Sequence, residues 1–121
     1  MKKQIVVILV LFLSFTSFSQ KEVRAFKSGE KLRYKMSYSG FLTAGTAVLE
    51  LNEVELEGKK VFYSRGSGWT SGIIKWFFKI DDVYESYFDK ETIKPYYFKR
   101  KIDEGGYKKH RNTRFNYDSK K

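Results

Sequence analysis

From Leu32 onward, apolar and polar residues alternate with period two. Leu32, Tyr34, Met36 and Tyr38 interleave with Arg33, Lys35 and Ser37, the pattern of a strand with one buried face. Gly40 to Gly45 predicts a turn or bend, after which Thr46 to Leu56 resumes as a strand. Ala47, Leu49 and Leu51 share one face of it, whereas Val54 and Leu56 have the other parity. A bulge near Asn52-Glu53 would keep all five inside. Glu57-Gly58-Lys59 predicts a turn, and Val61-Phe62-Tyr63 opens a third strand. Gly66 to Gly72, with three glycines and three Ser/Thr around Trp69, reads as the loosest stretch. Ile73 to Phe78 fits either a helical turn or a buried strand, because periodicity cannot arbitrate over so few residues. Asp82 to Phe88 alternates again, and Asp89-Lys90-Glu91-Thr92 predicts a turn. Pro95 falls at a strand start, where it takes no ladder donor from the interior. Tyr96 to Ile102 and Tyr107 to Tyr117 flank Asp103-Glu104-Gly105-Gly106, a hairpin signal. Six strands joined by short turns predict an all-β fold, an antiparallel meander forming a curved sheet or open barrel. Phe115 to Lys121 reads as a strand entering another turn. A sheet stopping there would expose a long edge, so the chain is expected to be the N-terminal part of a longer domain.

The first residues follow a different pattern. Lys2 and Lys3 precede an unbroken apolar run from Ile5 to Leu13, and Ser14 to Ser19 then steps down to small residues. That order predicts a secretory signal peptide over residues 1–19, with Ser17 and Ser19 at the positions a signal peptidase reads. A membrane anchor needs roughly 20 apolar residues to cross about 30 Å of hydrocarbon, and the run is shorter. Residues 20–121 then form a single β domain in a periplasmic or cell-envelope-associated protein. The chain has no cysteine, so this exported domain must rely on its core alone, without the disulfides common in small secreted domains. That core is aromatic, drawn from 11 Phe, 9 Tyr and 2 Trp, each with about 150–250 Å² to bury.

Catalytic signals are weak. Ser28-x-x-Lys31 has the spelling of penicillin-recognising enzymes, but the lysine enters a strand, where residues three apart face opposite ways. Gly40 and Gly45 have the spacing of P-loop glycines without the Lys and Ser/Thr that follow them, and Gly66-x-Gly68 lacks the third dinucleotide glycine. His110 is the sole histidine and lies among like charges, so it reads as a solvated residue. Asp81-Asp82-x-x-Glu85 and Asp103-Glu104 are acidic residues beside turns. No catalytic residue, metal ligand or cofactor is expected, and the reading is non-enzymatic.

Net charge is +10, which bears on partners and not on fold. Between Lys94 and Arg114, eight basic side chains accompany Asp103 and Glu104, interleaved with Tyr96, Tyr97, Phe98 and Tyr107. Aromatic platforms with a basic track suit single-stranded nucleic acid, but export argues against that partner and for lipid or another anionic envelope component. Lys99, Arg100, Lys101, Lys108, Lys109, Arg111 and Arg114 are the candidates for contact with an anionic surface; the bland reading is a hairpin with aromatics inward and lysines outward. Trp69, Ile73, Ile74, Trp76, Phe77 and Phe78 are the candidate walls of an apolar pocket, against a bland reading as core.

Gly29-Glu30 with Leu32 and Tyr34, Gly40 with Ala44-Gly45-Thr46-Ala47, Asp82-x-Tyr84-Glu85-Ser86 with Asp89, Thr92-Ile93-x-Pro95 and Gly105-Gly106 together resemble the exported bacterial family known as domain of unknown function 3108. The resemblance covers roughly residues 26–118. It implies a signal-bearing, mostly antiparallel β protein without an assigned activity, whose members run on past this point. Its fold looks similar to the open barrels of lipoprotein and lipid carriers, which is analogy of fold alone. The expected function is a binding module for an apolar or amphiphilic, lipid-like ligand. The alternative is a structural or assembly partner of other envelope proteins through its sheet edge.

Overall fold

The computed structural model describes residues 1–4 and 25–118. The signal peptide expected over residues 1–19 therefore lies, beyond its first four residues, outside the described residues. Six strands form one antiparallel sheet in chain order: β1 (Glu30–Tyr38), β2 (Leu42–Leu56), β3 (Lys59–Thr70), β4 (Asp81–Phe88), β5 (Pro95–Glu104) and β6 (Tyr107–Arg114). The sheet is a meander that does not close on itself, with β1 and β6 at its edges. Between β3 and β4 a single helical turn, α1 (Ile74–Phe77), settles the ambiguity of Ile73 to Phe78. No described helix is long and apolar enough to cross a membrane.

The tight connections follow from backbone chemistry. Gly105 and Gly106 have φ of 60° and 91° and join Glu104 to its partner Tyr107. A two-residue hairpin with both residues at positive φ matches the twist of the flanking strands, and glycine enters that region without steric cost. Pro95 is the first residue of β5, as its missing N–H requires, and faces Phe88.

Register departs from the sequence expectation at two places. The first is the bulge near Asn52-Glu53, which is absent: β2 pairs with β3 without interruption from Gly45↔Thr70 to Leu56↔Lys59. Register shifts fall instead at Met36/Ser37 and at Tyr87/Phe88. Val54 and Leu56 thus lie on the face opposite Leu51, next to Val61 and in line with Tyr63. The second is Gly66 to Thr70, which is strand and not loop: Ser67 pairs with Val48 on one side and Val83 on the other. Ladder bonds on both sides outweigh the conformational freedom that three glycines suggested.

Apolar groups therefore occupy both faces. On the first face, Leu51, Phe62 and Phe88 are buried together, and Phe26 packs edge-on against both rings at centroid distances of 6.4 and 6.0 Å. Ile102 is buried on the same face. On the second face, Val48 and Val61 are buried, and Tyr63, Tyr87 and Tyr97 form a cross-strand ladder with centroids 4.9 and 6.1 Å apart. The Tyr63 hydroxyl donates to Glu85 Oε1 at 2.5 Å. Burial, reinforced by that carboxylate, pushes its ionisation well above the ordinary phenol range.

Candidate functional site

Period two along a strand makes residues paired across the sheet share a face. Leu32 on β1 pairs with Leu49 on β2, Leu49 with Gly66 on β3, and Gly66 with Tyr84 on β4. One row over, Tyr34, Ala47, Gly68 and Asp82 line up in the same way. Small residues at 47, 66 and 68 thus form the floor of a trough on the first face, with larger side chains from β1 and β4 beside it. The trough consists of two concavities of about 370 and 260 Å³ that share Leu49 and Gly66. Its outer part runs past Leu32 towards Phe26 and Phe88; its inner part runs past Met36 towards Ile80 and Tyr84.

Nothing among the described residues covers this floor. Leu49, on β2 between two paired strands, is 48% exposed and Tyr84, on β4, is 37% exposed. The space depends on Gly66: a Cβ there would stand 3.3 Å from Leu49 Cδ2. The sequence signal was present, in Gly66-x-Gly68 between two alternating segments, but its meaning depended on recognising those residues as strand.

The candidates from sequence are distributed differently from expectation. Trp69 borders the inner concavity by its place on β3, but its pairing with Thr46 and Asp81 puts it on the second face, away from the trough. Ile73, Ile74, Trp76, Phe77 and Phe78 line neither concavity; they form the β3–β4 loop, where Trp76 and Phe77 are 88% and 82% exposed. Phe78 sits over the β5–β6 turn, with its ring 2.7 Å from where a Gly105 side chain would begin.

The basic hairpin divides between the faces. Lys99, Lys101, Lys108 and Arg114 take the second face, with His110, and Arg100, Lys109 and Arg111 take the first. Its aromatics divide too, Tyr97 to the second face and Phe98 to the first, so the pattern of aromatics inward and lysines outward does not describe it. Two of the second-face charges have acidic partners, Lys108 with Asp103 at 3.6 Å and Arg114 with Glu57 at 2.8 Å. Arg100 and Arg111 lie directly opposite each other in the ladder. The Arg100 guanidinium stands 5.7 Å over the Tyr84 ring at the side of the trough.

No group of three or more His, Cys, Asp or Glu among the described residues could hold a metal ion. Ser28 Oγ accepts a hydrogen bond from the Glu53 backbone N–H at 2.8 Å, so this hydroxyl ties the start of β1 to β2. Asp81-Asp82-x-x-Glu85 does not form a carboxylate pair at one point: Asp82 and Glu85 point to opposite faces, and Asp82 Oδ1 accepts from the Asp103 backbone N–H.

The model of the family described as "Protein of unknown function (DUF3108)" matches residues 33–121. That is most of the chain, and the chain belongs to this family. No curated protein and no solved structure matches it.

Proposed function

We propose that this DUF3108 protein is an exported, non-enzymatic binding module that holds an apolar or amphiphilic ligand in the trough on the first face of its sheet. The observation that carries the reading is a row of small residues, Ala47, Gly66 and Gly68, left open between Leu32, Leu49 and Tyr84 in the middle of a sheet. Strand interiors favour β-branched and aromatic residues, and glycine there weakens the strand unless something approaches closely. Ligand sites are concave and mostly apolar, with volumes from about 300 Å³ upward, a range the trough reaches. Leu32, Met36, Leu49 and Tyr84 are exposed along the trough and gain from being covered, at roughly 25 cal/mol for each Å² removed from water.

The test is binding of the fluorescent apolar probe N-phenyl-1-naphthylamine. The full chain is expected to enhance its emission, and Gly66→Val is expected to weaken binding at least about tenfold by filling the floor with side-chain volume. Valine suits a strand, so the thermal midpoint should hold or rise. Unchanged probe binding by a folded Gly66→Val protein would remove the trough from the account.

A second reading, assembly with other envelope proteins, draws on the outer edges of β1 and β6, which pair with no further strand among the described residues. Crosslinking that captures one defined protein partner and is abolished by proline within β6 would favour it.

A further inference from the structure

We propose that the ligand carries an anionic head group and that Arg100 and Arg111 receive it, a refinement that rests on the trough reading above. These two residues are cross-strand partners on the first face. Like charges directly opposite in a ladder are destabilising, and nothing among the described residues neutralises this pair. No carboxylate there lies within ion-pairing distance of either guanidinium, in contrast to Lys31, Lys59, Lys90, Lys108 and Arg114. The nearest acidic residue by register on that face, Asp82, lies one row away across from Ile102 and accepts a backbone N–H from Asp103. Arg100 is half-buried, and its Nε is shielded from solvent with no hydrogen-bond partner among the described residues. Lys109 adds a third cation on the same face of β6.

The position of the pair gives the ligand its class. Tyr84 forms one side of the trough and lies under the Arg100 guanidinium; Arg111 is one strand further out. A molecule whose apolar part lies over Gly66 and Leu49 and runs across Tyr84 brings its end group to the two arginines. Arginine offers a planar fork of donors that matches phosphate, carboxylate and sulfonate oxygens two at a time. An anion between the guanidinium groups would relieve their repulsion and give the Arg100 Nε an acceptor. The ligand is accordingly a single amphiphile, with an apolar chain on β2–β4 and an oxyanion on β5–β6.

The experiment compares dodecyl phosphate with uncharged dodecyl maltoside, both below micelle-forming concentrations, as competitors of N-phenyl-1-naphthylamine on the full chain. Dodecyl phosphate is expected to displace the probe at a concentration about tenfold lower, the worth of a charge-assisted hydrogen bond or two. R111Q, at the exposed edge strand, and R100Q should each shrink that preference, whereas K99Q on the second face should leave it intact. Equal displacement by the two competitors, or a preference that survives both arginine variants, overturns the head-group assignment and leaves the trough reading standing. Failure of probe and both competitors to bind overturns the two together. Displacement by inorganic phosphate as effective as that by dodecyl phosphate also overturns the proposal, because the arginines would then form a plain anion site.

Discussion

Asp89 holds the β4–β5 connection with both carboxylate oxygens. Oδ1 accepts the backbone N–H groups of Glu91 and Thr92 at 2.9 and 2.8 Å; Oδ2 accepts from Lys59 Nζ and the Tyr96 hydroxyl, both at 2.7 Å. The Lys59 ammonium, then the turn N–H and the Tyr96 hydroxyl, hold its ionisation far below the usual carboxylate range. A carboxyl whose folded pKa is depressed contributes stability that is fully present above its unfolded value near 4 and lost progressively as pH falls from there through the folded value. Asp89→Ala is expected to lower unfolding free energy by about 2–3 kcal/mol at neutral pH. Urea denaturation at pH 7 and at pH 3 should show the gap between the two proteins narrowing in acid without closing. From sequence, Asp89 was legible as a turn residue but not as this junction, because Lys59 and Tyr96 reach it through the fold and not along the chain. Arg100 and Arg111 were legible as basic residues for the same reason only: face assignment needs the β4–β5 and β5–β6 registers.

Element boundaries divide into those set by local chemistry and those set by pairing. The hairpin turn at Gly105-Gly106 and the strand start at Pro95 were readable, since each depends on the backbone of its own residues. Replacing Gly105 by alanine places a Cβ at φ of 60° and 2.7 Å from the Phe78 ring, so a loss of about 1–2 kcal/mol is expected in equilibrium unfolding. The strand identity of Gly66 to Thr70 was hidden, because glycine and serine carry no period and the evidence lies in Val48 and Val83 on the neighbouring strands. The β3–β4 loop is the opposite case, an apolar stretch whose composition suggests burial while its place beyond the strand ends exposes it. Trp76→Ala and Phe77→Ala are therefore expected to change stability by no more than about 0.5 kcal/mol and to leave N-phenyl-1-naphthylamine binding unaltered in the same titration.

The whole molecule is one sheet asked to serve two faces. Alternation predicted its strands and antiparallel order, but a single buried face was assumed, and the uninterrupted β2–β3 register instead sends Val54 and Leu56 to the side opposite Leu51. One side keeps a tyrosine ladder, and the other keeps an open apolar trough with Tyr84 at its side and Arg100 and Arg111 on the two strands beyond. The proposed export is tested at this scale as well: mass spectrometry of the protein recovered from the cell envelope is expected to give Gln20 as its first residue, with Lys2 and Lys3 removed. The most direct test of the two-sided account is backbone NMR of the full chain titrated with dodecyl phosphate. Shifts are predicted at Leu32, Leu49, Gly66, Gly68, Tyr84, Arg100 and Arg111, with Val54, Tyr63 and Tyr87 on the far side unmoved. Shifts confined to the far side or to the β3–β4 loop, or none at all, would contradict it.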